Sequence, residues 1–163
     1  MPLSHSIFTI VGATVMLTAC SVAISQPKAP EIAAKPTETA QANTRKTASG
    51  LTIIDQKIGD GPEIVNMKPV LVQYTGWLYD EKASDKKGAK FDSSRDRGTP
   101  FGFIVGAKRV IAGWEEGVIG MKKGGQRTLI IPPELGYGAR GAGGVIPPNA
   151  TLIFDVEFVQ FAG

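Results

Sequence analysis

The chain has 163 residues, of which 42% are hydrophobic and 20% charged, and it carries a formal net charge of +3. That suits one compact domain with a tail, and the weak charge, without any long lysine–arginine run, argues against nucleic-acid binding. The only histidine is His5 and the only cysteine Cys20, so the chain from Ser21 onward has no Ser-His-Asp or Cys-His nucleophilic site, no His or Cys zinc ligands and no disulfide of its own.

Ile7 to Ala19 is an apolar run too short to span a bilayer, which takes about 20 residues, but it has the length of a signal-peptide core. It ends Leu17-Thr18-Ala19-Cys20. Small residues before a cysteine resemble the bacterial lipoprotein processing box. The resemblance implies a signal peptide over residues 1–19, cleavage before Cys20 and a lipid on the Cys20 sulfur. Residues 1–6 hold no Lys or Arg, a departure from that pattern, and an ordinary secretory signal cleaved elsewhere, or an uncleaved anchor, is the alternative. Ser21 after the cysteine points to the outer membrane, with the domain facing the periplasm of a bacterial envelope.

Residues 20–49 read as a tether. Gln26 to Ala48 is rich in Ala, Pro, Thr, Lys and Glu and has Ile32 as its one large aliphatic residue, so it buries too little to offset its conformational entropy. As a random coil its ends lie about 25–30 Å apart.

From Gly50 to Gly163 the pattern is that of a globular domain. High glycine and proline counts, 20 and 11, point to many turns. Leu51–Ile58 reads as a strand closed by Gly59-Asp60-Gly61-Pro62. In Val70–Tyr79, Val70, Val72 and Tyr74 alternate with Leu71, Gln73 and Thr75, a strand with two unlike faces. Asp80–Lys90 is charged and small, a solvated hairpin loop. Phe91–Phe101 is a polar run bracketed by two phenylalanines, a loop or short edge strand folded over an apolar pocket. Phe101–Val105 is a short strand.

Ala112–Met121 is the one good helix candidate, with Trp114, Val118 and Met121 on one face. Gly117 and Gly120 each weaken it by about 1 kcal/mol against Ala, so packing must hold it. Glu115 and Glu116 suit the helix N-terminus, and Lys123-Gly124-Gly125 stops the helix and lacks the spacing of a phosphate loop. Gln126–Ile131 and Thr151–Phe161 are strands. In the second, Leu152, Phe154, Val156 and Phe158 point one way, Asp155 and Glu157 the other. Strands with a single short helix predict an α+β domain, an antiparallel sheet wrapped over that helix.

Tyr74-Thr75-Gly76, Phe91-Asp92-Ser93-Ser94-Arg95-Asp96-Arg97, Val110-Ile111-Ala112-Gly113-Trp114-Glu115-Glu116-Gly117, Tyr137-Gly138 and Ile146-Pro147-Pro148-Asn149-Ala150-Thr151-Leu152 occur in this order. Over Gly50–Phe161 the chain closely resembles the FKBP-type peptidyl-prolyl isomerases (rotamases). The resemblance implies a curled antiparallel β-sheet around one short α-helix. It places the catalytic pocket on Asp92, Tyr137, Phe91 and Trp114, with Trp114 as floor. Substrate contacts fall on Tyr74, Arg97, Phe101, Val110, Ile111, Ile146 and Phe154. The Ile111 N–H and Tyr137 hydroxyl are expected to bind peptide or macrolide carbonyls, and Arg97 to pair with Asp92. The loop Asp80–Lys90 and the small Gly-rich rim Ala139–Gly144 depart from the shortest family members.

The implied activity needs no cofactor and no metal, because X-Pro rotation breaks no bond. Residue type alone favours core for Trp114 or Phe154, while Phe91, Phe101 and Tyr137 border polar loops, as a binding site requires. Asp92 with Arg97 on its own reads as a surface ion pair. The expected activity is acceleration of X-Pro isomerisation in exposed or unfolded segments of exported proteins. A proline-peptide binding module or holdase with incidental isomerase activity is the alternative, and macrolides of the family are expected inhibitors.

Overall fold

The computed structural model of the protein describes residues 43–163. The apolar run, Cys20 and the tether up to residue 42 lie outside the described residues. Seven strands occur among those described: β1 (Asn43–Lys46), β2 (Thr52–Lys57), β3 (Pro69–Tyr79), β4 (Lys87–Ser93), β5 (Phe101–Ile104), β6 (Gln126–Ile131) and β7 (Leu152–Phe161). They form one open antiparallel sheet in the order β1-β2-β6-β7-β3-β4, with β5 also beside β3. The helix α1 (Ala112–Gly117) lies between β5 and β6 in the chain.

Alternation decides which face is buried. On β3, Val70, Val72 and Tyr74 face inward, and on β7 Leu152, Phe154, Val156 and Phe158 do, each at most 7% exposed. Asp155 and Glu157 take the outer face, as the sequence pattern predicts, while Ile153 is buried as well. Three of the expectations shift. Among the described residues strand structure is already present at Asn43, ahead of Gly50, because β1 pairs with β2 from Asn43↔Asp55 to Lys46↔Thr52. An exposed edge strand gains backbone bonds without apolar side chains, so composition does not reveal it. Likewise the charged stretch before Phe91 is half strand: β4 starts at Lys87, opposite Tyr79. Lys87 fits there by lying over the Trp77 ring, 4.6 Å from its centroid, and by pairing with Asp155 at 2.5 Å.

The helix is shorter than its pattern, ending at Gly117 rather than Met121. The backbone groups that would continue it go to Ile64. The Gly120 N–H donates to the Ile64 carbonyl at 3.1 Å, and the Ile64 N–H donates to the Met121 carbonyl at 2.8 Å. The predicted face survives the change, since Trp114, Val118 and Met121 are all buried. A six-residue helix has almost no stability of its own. Two things hold it. Its glycines let it sit against β6: a Cβ on Gly113 would lie 2.6 Å from Ile131 Cγ2, and one on Gly117 2.7 Å from Leu129 Cδ1. Its C-terminal carbonyls, open acceptors in any helix, are met by Arg127 of β6, whose Nη1 donates to Gly117 O at 2.7 Å and Ile119 O at 3.0 Å. Arg127 is only 4% exposed. Its charge is balanced by Asp55 at 2.6 Å, which also accepts from Arg45 at 2.8 Å. Burial lowers the Arg127 pKa and the Asp55 carboxylate works against that.

Candidate functional site

Two strands share one edge of β3. β5 pairs with Pro69–Val72 and β4 with Thr75–Tyr79. The gap between them falls at Gln73 and Tyr74, and the segment 94–100 crosses it. Ser94, fully buried, pins that crossing. Its hydroxyl accepts the Tyr74 N–H at 2.8 Å and its own N–H donates to the Tyr74 carbonyl at 3.0 Å. Ser93 donates to the same carbonyl at 3.1 Å. The serines therefore fix where Asp92, on one side, and Arg97, on the other, meet the Tyr74 side chain.

The inner side of this gap opens on a cleft of about 350 Å³ lined by Tyr74, Phe91, Asp92, Phe101, Lys108–Ile111, Trp114, Tyr137 and Phe154. Its rings stand edge-on to one another. Tyr74 and Trp114 centroids are 4.9 Å apart at 86°, Trp114 and Phe154 5.4 Å at 85°, and Phe91 and Phe154 5.4 Å at 85°. Edge-to-face contacts of this kind add about 0.5–1.5 kcal/mol each beyond area burial. The Phe91–Phe154 contact needs Gly76, where a Cβ would lie 2.6 Å from Phe154 and 2.7 Å from Phe91. Trp114 and Phe154 are 4% and 3% exposed, so they belong to the core and to the cleft at once. Tyr137 is different, being 40% exposed.

One wall carries charge. The Tyr74 hydroxyl donates to Asp92, Arg97 donates to the other Asp92 oxygen, and Arg97 Nη2 donates to the Tyr74 oxygen at 2.9 Å. Burial alone would raise the Asp92 pKa. The Tyr74 and Arg97 donors outweigh it and hold the carboxyl below the usual range. Burial and the bond to Asp92 push the Tyr74 hydroxyl up, and burial with the Asp92 charge does the same to Tyr137. Asp92 is thus ionised and Tyr74 and Tyr137 protonated across the physiological range.

Two donors face the cleft unused. Among the described residues neither the Tyr137 hydroxyl nor the Ile111 N–H, at the N-cap of α1, has an acceptor. The cleft brings together nine of the eleven residues singled out for the pocket: Asp92, Tyr137, Phe91, Trp114, Tyr74, Phe101, Val110, Ile111 and Phe154. The other two do not line it. Arg97 stands behind Asp92, and Ile146 is buried in the core at 6% exposure, where the Ala142 N–H donates to its carbonyl at 3.0 Å. Sequence reading passed over Lys108 and Arg109, which do line it. Their only sequence signal is a pair of cations directly ahead of Val110-Ile111.

The family profile of the FKBP-type peptidyl-prolyl cis-trans isomerases matches residues 61–159. An FK506-binding protein of Neisseria meningitidis serogroup B is 54% identical over 111 residues, covering 68% of this chain and 95% of the relative. FK506-binding protein 1 of Dictyostelium discoideum is 50% identical over 111 residues, with 68% and 95% covered. Among solved structures, AtFKBP13 superposes with a TM-score of 0.64 at 40% identity over 73% of this chain and 98% of that one. FkpA from Escherichia coli gives a TM-score of 0.64 at 38% identity over 76% of this chain and 53% of FkpA.

Proposed function

The chain belongs to the FKBP-type peptidyl-prolyl cis-trans isomerase family, and from that premise we propose that its aromatic cleft turns X-Pro bonds by non-covalent catalysis during the folding of exported proteins. The observation that carries the mechanism is the ring box with two free donors at its mouth, Ile111 N–H and Tyr137 hydroxyl. X-Pro rotation meets a barrier of about 18–20 kcal/mol and takes tens to hundreds of seconds unaided. As the amide twists, resonance is lost, and the carbonyl oxygen gives up negative charge. A dry aromatic wall disfavours the polar planar state more than the twisted one, which is differential stabilisation of the transition state. The proline ring packs on the Trp114 floor against Tyr74, Phe101 and Phe154. The Ile111 N–H and the Tyr137 hydroxyl donate to peptide carbonyls and fix the chain on either side of the twisting bond. Asp92, paired with Arg97, acts at the wall by holding the Tyr74 hydroxyl in place. Each tenfold of rate asks for about 1.4 kcal/mol of such preference.

The relatives' names point to FK506, and the same cleft is the place where such a macrolide ring would replace the prolyl peptide. The placement in the cell rests on the sequence: the run Ile7–Ala19 and the Leu17-Thr18-Ala19-Cys20 box support a lipid on Cys20, an anchor in the bacterial envelope and a domain facing the periplasm. An intact mass of the membrane-extracted chain that lacks residues 1–19 and carries acyl groups at Cys20 is the expected result. An unmodified Cys20 removes the anchor.

The enzymatic reading is tested by cis-to-trans isomerisation of a Leu-Pro tetrapeptide by the full chain in nonionic detergent, beside a folded Tyr137→Ala, Phe154→Ala variant. Acceleration that the variant loses, and that FK506 suppresses, is expected. Equal acceleration by both proteins would move the chemistry out of this cleft.

A further inference from the structure

We propose that Lys108 and Arg109 make the mouth of the cleft select prolyl segments that carry a carboxylate side chain beside the X-Pro bond; this rests on the isomerase reading of the same cleft. The charges around the mouth are unequal. Asp92, the acid that lines the cleft, is paired with Arg97. Lys108 and Arg109 line the cleft, are exposed, and enter none of the ion pairs or hydrogen bonds of the described residues. Two unpaired cations therefore stand at the rim with no acid of the cleft left to balance them.

The neighbouring acids are engaged elsewhere. Glu115 and Glu116 line the next groove, which Lys108 shares but Arg109 does not. Glu115 accepts the Gly106 N–H at 2.5 Å and Glu116 the Ser49 hydroxyl at 2.7 Å. Arg109 thus faces the prolyl cleft alone. The turn that presents the cations is fixed by its backbone: the Ala107 N–H donates to the Ile104 carbonyl at 3.3 Å, and Lys108 is held at φ 55°. The aromatic box reads the proline and its apolar neighbour, and the cations read what flanks them. An arginine fork also matches a carboxylate bidentately.

Charges of this kind steer association and set preference more than they add affinity. At an exposed rim the expected effect of one well-placed carboxylate is about three- to tenfold in kcat/KM at low salt, shrinking as the Debye length falls to about 3 Å near 1 M salt.

The experiment compares three peptide series around one Leu-Pro core, with Glu, Gln or Lys placed at each position up to three residues before or after the core. The full chain in nonionic detergent and a Lys108→Glu, Arg109→Glu variant are each measured at low and high salt. The reading is the ratio of kcat/KM to that of the Gln peptide. Glu above Gln above Lys at one or more positions, collapse of the order at high salt and its inversion in the variant are expected. Equal ratios at every position, with the Gln peptides accelerated, overturn the selectivity and leave the isomerase standing. No acceleration of any series overturns both. The wild-type ranking stands without the variant, so a variant that fails to fold does not rescue the proposal.

Discussion

Asp55 and Asp92 are each held by two donors, and the two clusters do opposite work. Asp55 joins Arg45 and the buried Arg127 behind the helix. Asp92 joins Tyr74 and Arg97 at the mouth of the cleft. The chemistry is nearly the same, and burial separates them. Arg127, at 4% exposure, has nowhere to send its charge except Asp55 and the helix carbonyls, so the cluster ties β1, β2, β6 and α1 together. Arg97 stands in solvent, so its loss costs little in folding and its effect falls on the wall of the site. An ion pair is structural or functional according to the water around it, which its residue types do not reveal.

The sharpest way to break the comparison is to remove one arginine at a time. Arg127→Ala leaves Asp55 with Arg45 alone and the helix carbonyls unmet, and it is expected to cost about 3–5 kcal/mol. Chemical denaturation would show this as a lower midpoint at unchanged m. Isomerase activity per folded molecule should be retained. Arg97→Ala should do the reverse, leaving the denaturation midpoint nearly unmoved while kcat/KM on a Leu-Pro peptide falls.

A second test concerns the ground between the clusters. Helix propensity says that Gly113→Ala or Gly117→Ala stabilises α1 by about 1 kcal/mol. The contacts with Ile131 and Leu129 say the added methyl overpacks the helix–sheet interface, with an expected loss of about 1–3 kcal/mol. A rise in thermal midpoint for either variant would show that the helix can lift off β6 freely.

At the cleft, Tyr137→Phe removes a donor that no protein group uses and is expected to lower kcat/KM about tenfold, roughly 1.4 kcal/mol, with stability unchanged. An unaltered rate would mean that the hydroxyl does not touch substrate.

The smallest effects are those of pH. The folded-state pKa of Asp92 is lowered, so its contribution to stability is complete above the ordinary carboxylate value of 3.8 and is lost as pH falls through the folded value. Tyr74 and Tyr137 are raised, so theirs is complete below 10.0 and is lost as pH rises through the folded values. Between those limits kcat/KM should be flat, since the chain from Ser21 onward has no histidine or cysteine. Asp92→Asn should remove the acid-side loss and draw the alkaline limb toward lower pH, because the Asp92 charge is part of what raises both tyrosines. A midrange inflection in the wild type would point to a titrating group outside this wall.

The alternation in β3 and β7 was plain in the sequence because a period of two with one buried face leaves a direct record in residue type. The aromatic cleft was plain for another reason, that its motifs stand in one order at familiar spacings. β1 left no such trace, since an edge strand is held by backbone pairing. Nor did Ile146 and Arg97 stand apart from their neighbours: both belong to matching motifs, yet one is packed into the core and the other stands behind Asp92. Arg127 was passed over because an arginine in an apolar strand shows its meaning only with its acceptors, which lie on another element.

By itself the sequence determined the fold class, the aromatic floor and walls of the cleft, and the chemistry the chain from Ser21 onward does without. The fold class and the excluded chemistry follow from local periodicity and residue type, and the cleft residues from the ordered motifs and the family they resemble. Tertiary structure alone decided where the helix stops, which aspartate is structural, and which cations are left unpaired at the cleft mouth. Each of those depends on partners distant in the chain and on how much water reaches them.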